Sequence, residues 1–123
     1  MDVLDFSVNT AALGGDAFIV TLTGEVDLHT APELEHALDG VLGLGGTAVA
    51  VDLSEVSFVD STVLGVLLTY RERLHDLGGD VVVVTQDRRV LRVFEVTGLD
   101  RVFVIERRLA DAVATITPSI APV

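Results

Sequence analysis

The chain has 123 residues, half of them apolar, and a formal net charge of −11. That length fits one domain with one substantial core. The acidic balance argues against nucleic acid and against an anionic membrane surface, and it leaves no basic ligand-binding face. Cysteine is absent and all eight basic residues are arginine, which excludes disulfides, thiolate metal sites, Cys nucleophiles, Schiff-base lysines and the lysine of a Walker phosphate loop.

Asp2 and Asp5 stand where a signal peptide carries positive charge, and no apolar stretch is long enough to span a bilayer. The expected location is therefore the cytoplasm. Phe6, Val8 and Thr10 alternate with Ser7 and Asn9 as in an edge strand. After a turn at Gly14–Asp16, Ala17 to Thr23 is a β-branched and aromatic strand that should pair with the first as a hairpin and end at Gly24. Thr30 and Glu33 have capping-box spacing, with Pro32 in the first turn. Leu34, Ala37, Leu38, Val41 and Leu42 then recur at helical spacing until Gly43, Gly45 and Gly46.

Thr47 to Leu53 is apolar except for Asp52 and suits a strand covered on both faces. Ser54 and Glu55 lead to Val56–Leu68, VSFVDSTVLGVLL, where an apolar approach meets Asp60, Ser61 and Thr62 and an apolar run resumes. Asp, Ser and Thr cap helix N-termini because their side-chain oxygens accept bonds from orphaned backbone N–H groups. A helix is expected from about Thr62 or Val63, with Val63, Val66, Leu67, Tyr70, Leu74 and Leu77 on its inner stripe and Gly78–Gly79 as its stop. Val81 to Val84 reads as a second buried strand. A short helix follows Gln86–Arg89, facing in through Val90, Val93 and Phe94 and ended by Gly98. Val102 to Ile105 is a last strand and Leu109 to about Thr115 a last helix. The order β-β-α-β-α-β-α-β-α gives an α/β domain over 1–117, a mainly parallel mixed sheet of about five strands with about four helices, and a flexible tail over 118–123.

Enzymatic constellations are weak. His36 and His75 read as solvated surface residues, His29 precedes a helix, and no pair has metal-ligand spacing. A triad of Ser61, His29 and Asp27 has no nucleophile elbow to support it. Asp52 ends a strand as a receiver-domain phosphoacceptor would, but the lysine that fold needs is missing. No catalytic, cofactor-binding or metal residue is assigned, and the expected protein is not an enzyme.

As pure structure, Asp60, Ser61 and Thr62 cap a helix. DSTVLGVLL preceded by VDLSEVSFV, however, resembles the D-S-S/T-G-L-G signature of the anti-sigma factor antagonist family, the STAS domains. TGEVDLHTAPEL, Thr23 to Leu34, is similar to the family's G-E-L-D-x-x-T stretch, and Val81 to Ile105 to its strand, helix, T/S-G-L and final strand. Three collinear segments over nearly the whole chain make the resemblance specific. It implies a STAS fold and a cytoplasmic, monomeric switch. The unphosphorylated antagonist binds an anti-sigma factor that is also a serine kinase and so frees a sigma factor. Phosphorylation releases it, and a phosphatase resets it. Carried over, the phosphoacceptor is Ser61. Asp27 and Thr62 belong to the kinase-facing surface, and Asp60 caps or positions Ser61. Val63 stands where the family has Gly, and its bulk either packs into the core or marks a variant with altered phosphorylation. That departure keeps open a non-phosphorylated STAS scaffold or subunit of a transport or stress-sensing complex. A nucleotide-binding or hydrolytic domain using Ser61 is the third reading.

Overall fold

The computed structural model describes residues 5–117 of the chain. The assignments of a domain end at residue 117 and a tail over 118–123 turn on residues outside that span. Two antiparallel strands, β1 (Ser7–Gly14) and β2 (Ala17–Val26), form the expected hairpin. They are followed by α1 (Ala31–Gly43), β3 (Ala48–Val59), α2 (Ser61–Asp76), β4 (Asp80–Val84), α3 (Arg88–Thr97), a 3-10 turn (Leu99–Arg101), β5 (Val104–Glu106) and α4 (Leu109–Ile116). The strands lie side by side in chain order, with β2 through β5 parallel. This is the α/β mixed sheet of five strands and four helices that the apolar pattern implied.

Alternation along the strands sorts their side chains onto two faces. Phe18, Val20, Leu22, Val49, Val51, Val81 and Val83 meet the buried stripes of α1, α2 and α3 in the main core. Ala17, Ala50, Val82 and Val84 point the other way and are covered by Ala112 and Ile116 of α4. The apolar run at the start of β3 and the Val run of β4 thus have the two-sided burial that their composition predicts.

Several boundaries differ from the sequence reading. Gly24 does not end β2: it adopts φ 87° inside the strand, where the register with β3 shifts. Val56 to Val59 is not a separate approach segment but the end of one 12-residue strand. Pairing passes from Thr21↔Asp52 to Thr23↔Glu55, and from Gly24↔Val56 to Glu25↔Phe58, so β3 accommodates an extra residue twice. The first bulge is held by Asp52, whose Oδ1 accepts from the Ser54 N–H at 2.9 Å. Each bulge resets the inward face, leaving Val56 and Val59 buried with Phe58 exposed. That broken alternation is why the segment does not read as strand. In α2, Leu64 joins the buried stripe, whereas Leu77 lies past the last helical residue and is 58% exposed. The last strand starts at Val104 because Val102 is drawn into the 3-10 turn by its bond to Leu99.

Candidate functional site

Val26 of β2 and Val59 of β3 are register partners, so the next residues, Asp27 and Asp60, leave the sheet side by side at the carboxyl ends of parallel strands. Helix α2 begins at Ser61, one residue earlier than its polar run suggests, because Asp60 alone is the N-cap. Asp60 is extended, and its Oδ1 accepts from the Val63 N–H at 3.1 Å. Its Oδ2 accepts from the Leu28 N–H at 3.0 Å. One carboxylate therefore caps α2 and also pins the β2–α1 loop to it. Sequence spacing carried the first role; the second joins positions 32 residues apart and needs the folded sheet.

The loop is itself locally closed. Asp27 Oδ1 accepts from the His29 N–H at 2.9 Å and the Thr30 N–H at 3.3 Å. The Thr30 hydroxyl accepts from the Asp27 N–H at 2.8 Å. Thr30 occupies the N-cap position of α1 but makes no side-chain cap bond there, so the expected capping box with Glu33 does not form. Its hydroxyl is committed backwards to Asp27, whose carboxylate serves the turn before the helix instead.

Ser61 is exposed at the first position of α2. The Val63 N–H is taken by the Asp60 carboxylate and the Leu64 N–H bonds the Asp60 carbonyl at 3.3 Å. Ser61 thus sits beside the positive end of a 16-residue helix without being the residue that terminates it. Thr62 is half-buried, and Val63 is fully buried in the main core, so its branched side chain points away from the Ser61 hydroxyl. Of the three histidines, only His29 lies in this loop; all three are exposed. Among the described residues no cluster of His, Cys, Asp and Glu has the arrangement of a metal site, and no helix is long and apolar enough to cross a membrane.

Two exposed apolar residues flank the site without having been singled out in the sequence. Leu28 is 62% exposed in the loop pinned by Asp60, and Phe58 is 46% exposed two residues before it. Phe58 and Val59 line a groove of about 590 Å³ with Val93, Val96 and Arg92 of α3. The signal for Phe58 was the same loss of alternation that hid the end of β3.

The chain matches the STAS domain family model over residues 8–112. It is 31% identical over 103 residues to an anti-sigma-B factor antagonist of Listeria monocytogenes, covering 84% of this chain and 90% of that protein. The crystal structure of an anti-sigma factor antagonist from Mycobacterium paratuberculosis superposes with a TM-score of 0.81 at 30% identity, over 91% of this chain and 94% of the other. Unphosphorylated SpoIIAA, an anti-sigma factor antagonist, shares the fold with a TM-score of 0.80 at 17% identity, over 93% of this chain and 99% of the other. With the sheet order, the collinear motifs and these likenesses together, the chain belongs to the STAS domain family, among the anti-sigma factor antagonists.

Proposed function

We propose that the protein is a cytoplasmic partner switch: it binds an anti-sigma factor with serine-kinase activity while Ser61 is unmodified, frees a sigma factor, and is released when Ser61 is phosphorylated. The observation that carries this reading is the geometry of Asp60, which ties the Asp27–Leu28 loop to the first turn of α2, where Ser61 is exposed. In the transfer, Ser61 Oγ bonds the γ-phosphorus of ATP, the bond to the ADP oxygen breaks, and the hydroxyl proton passes to a base on the kinase. The antagonist supplies a positioned hydroxyl and no catalytic group, so it acts as substrate and binding partner rather than enzyme. Asp27, Leu28 and Thr62 form the rest of the kinase-facing surface, and a phosphatase returns Ser61 to the neutral form.

A phosphoryl group adds roughly −1.5 to −2 charge at pH 7. At the first position of α2 it meets the positive end of the helix, a favourable term of about 0.3–1 kcal/mol. The fold therefore tolerates it. A docked surface that fits a neutral hydroxyl must instead desolvate or repel a dianion, at a cost on the order of 2–5 kcal/mol. The switch acts at the interface and leaves the domain folded. Val63, on which the alternative of a non-phosphorylated scaffold rested, packs inward and adds no bulk beside the acceptor.

The test is incubation with the cognate kinase and ATP, followed by mass spectrometry of the intact protein and its peptides. A gain of one phosphoryl group on Ser61, absent in Ser61→Ala, is expected, together with loss of kinase binding by Ser61→Asp. Labelling of Ser61→Ala to the wild-type extent would refute the acceptor assignment.

A further inference from the structure

The net charge conceals a local reversal. Residues 86–108 carry six of the eight arginines against four carboxylates, while the rest of the chain has two arginines and fifteen carboxylates. Within this segment Arg89 is paired with Asp87 at 2.8 Å and Arg108 with Asp111 at 3.5 Å. The Arg89 guanidinium holds the Asp87 carboxyl below its usual range, and the same carboxylate accepts from the Arg89 and Val90 N–H groups as the cap of α3. Asp87 is thereby committed. Arg88, Arg92 and Arg107 have no ion-pair partner among the described residues, although the chain holds more than twice as many carboxylates as arginines.

These three unpaired arginines converge. Arg88 and Arg92 are one helical turn apart on α3, and Arg107 comes from the β5–α4 connection. Together with Gln86, Leu91 and Glu95 they line a concavity of about 450 Å³ that shares Arg92 with the Phe58 groove and includes neither Phe58 nor Ser61. Three guanidiniums around one hollow, opposed only by Glu95, give it a local positive potential that attracts an anion from solvent. We propose that this pocket binds an oligophosphate anion, free or as the phosphate chain of a nucleotide. The planar, always-charged guanidinium engages phosphate oxygens in pairs, and three of them suit a ligand with at least two negative charges. Gln86 adds a neutral donor. Glu95 is the one group lining the pocket that opposes an anion.

The proposal stands apart from the switch at Ser61 and is tested without the kinase. The full chain, isotopically labelled, is titrated with inorganic pyrophosphate at low salt and followed by amide NMR. Saturable shifts confined to residues 86–95 and 107, weakening as salt is raised, are expected. Arg92→Gln should weaken binding about tenfold, the loss of one charge-assisted bond. Glu95→Gln should tighten it about threefold by removing an exposed like-for-ligand charge. All four pocket-lining charged side chains are exposed, so these variants should fold as wild type. ATP and adenosine are titrated in parallel. Equal affinity for pyrophosphate and ATP identifies the phosphates alone as the ligand, and tighter ATP binding over the same residues identifies a nucleotide. Binding of adenosine alone, shifts centred on Ser61 and Thr62, wild-type affinity in Arg92→Gln, or no saturation by pyrophosphate would each overturn the proposal. So would a hexaglutamate peptide that fills the pocket where pyrophosphate does not.

Discussion

Asp60 gives the sharpest handle on how the site is built. An ordinary N-cap Asp tolerates replacement by Asn, because either side chain offers one oxygen to the first turn. Asp60 uses both oxygens, Oδ1 for the Val63 N–H and Oδ2 for the Leu28 N–H. Asn has only one acceptor and turns an amide donor toward whichever backbone N–H it fails to serve. Asp60→Asn should therefore lose one bond, about 1 kcal/mol. Asp60→Ala loses the cap as well, about 1 kcal/mol more, for a total of about 2 kcal/mol. The assay is urea unfolding of the three proteins with native-state hydrogen exchange at Leu28 and Val63. In Asp60→Asn the Leu28 amide should exchange faster and the β2–α1 loop should come loose while α2 stays capped. That variant should also bind the kinase more weakly although Ser61 is untouched. Asp60→Asn as stable as wild type, with Leu28 protection unchanged, would refute the claim that one carboxylate joins the two halves of the site.

Gly65 is exposed in α2 and an added Cβ would meet nothing within 4 Å, so Gly65→Ala should stabilise the fold by about 0.4–1 kcal/mol in thermal or urea unfolding. If the α2 surface faces the kinase closely, the same variant should nonetheless bind it less well, which a pull-down or calorimetry would read. Gly79 is the opposite case: a Cβ there would stand 1.6 Å from the Thr47 carbonyl oxygen, backbone that cannot yield, and Gly79→Ala should cost about 3 kcal/mol or more. Val63→Gly empties a fully buried position and adds backbone freedom within a helix. It should cost about 3 kcal/mol in urea unfolding while leaving Ser61 phosphorylation by the kinase intact. Tyr70 is the chain's single tyrosine, and its pKa is pushed up to about 12, first by burial and then by its bond to Asp39. The folded state therefore prefers the neutral phenol. The stability it contributes is fully present below pH 10 and is lost as pH rises from there through about 12, up to roughly 2–3 kcal/mol. With no lysine or cysteine to titrate in that window, the alkaline slope of stability should vanish in Tyr70→Phe.

The parts of the site that are local in sequence were legible before the fold. The Asp60-Ser61-Thr62 run marked a helix start, and the start falls within two residues of the expected place. The inner stripe of α1 followed from helical periodicity, and the two-sided burial of β3 and β4 from their unbroken apolar runs. Reading failed where a side chain had two candidate partners. Thr30 has the spacing of a capping box, yet its hydroxyl bonds Asp27 behind it, and nothing in the spacing distinguishes the two. It failed again along Val56–Val59, because the bulges in β3 are set by the partner strand and erase the period-2 signal. The arginines of 86–108 were visible as letters, but whole-chain charge averaged them away.

The sequence by itself determined the element order, the two-sided sheet, the absence of lysine and cysteine chemistry, and the motifs that place the chain in its family. These depend on spacing along the chain, which a linear string carries in full. Only the tertiary structure decided that Asp60 serves two elements at once, that Leu28 and Phe58 lie exposed near the start of α2, and that Arg88, Arg92 and Arg107 share one pocket. Each of these joins residues through the parallel register of the strands or the packing of a helix on the sheet. Such neighbours are chosen by burial across the whole domain, and their separation in sequence holds no record of it.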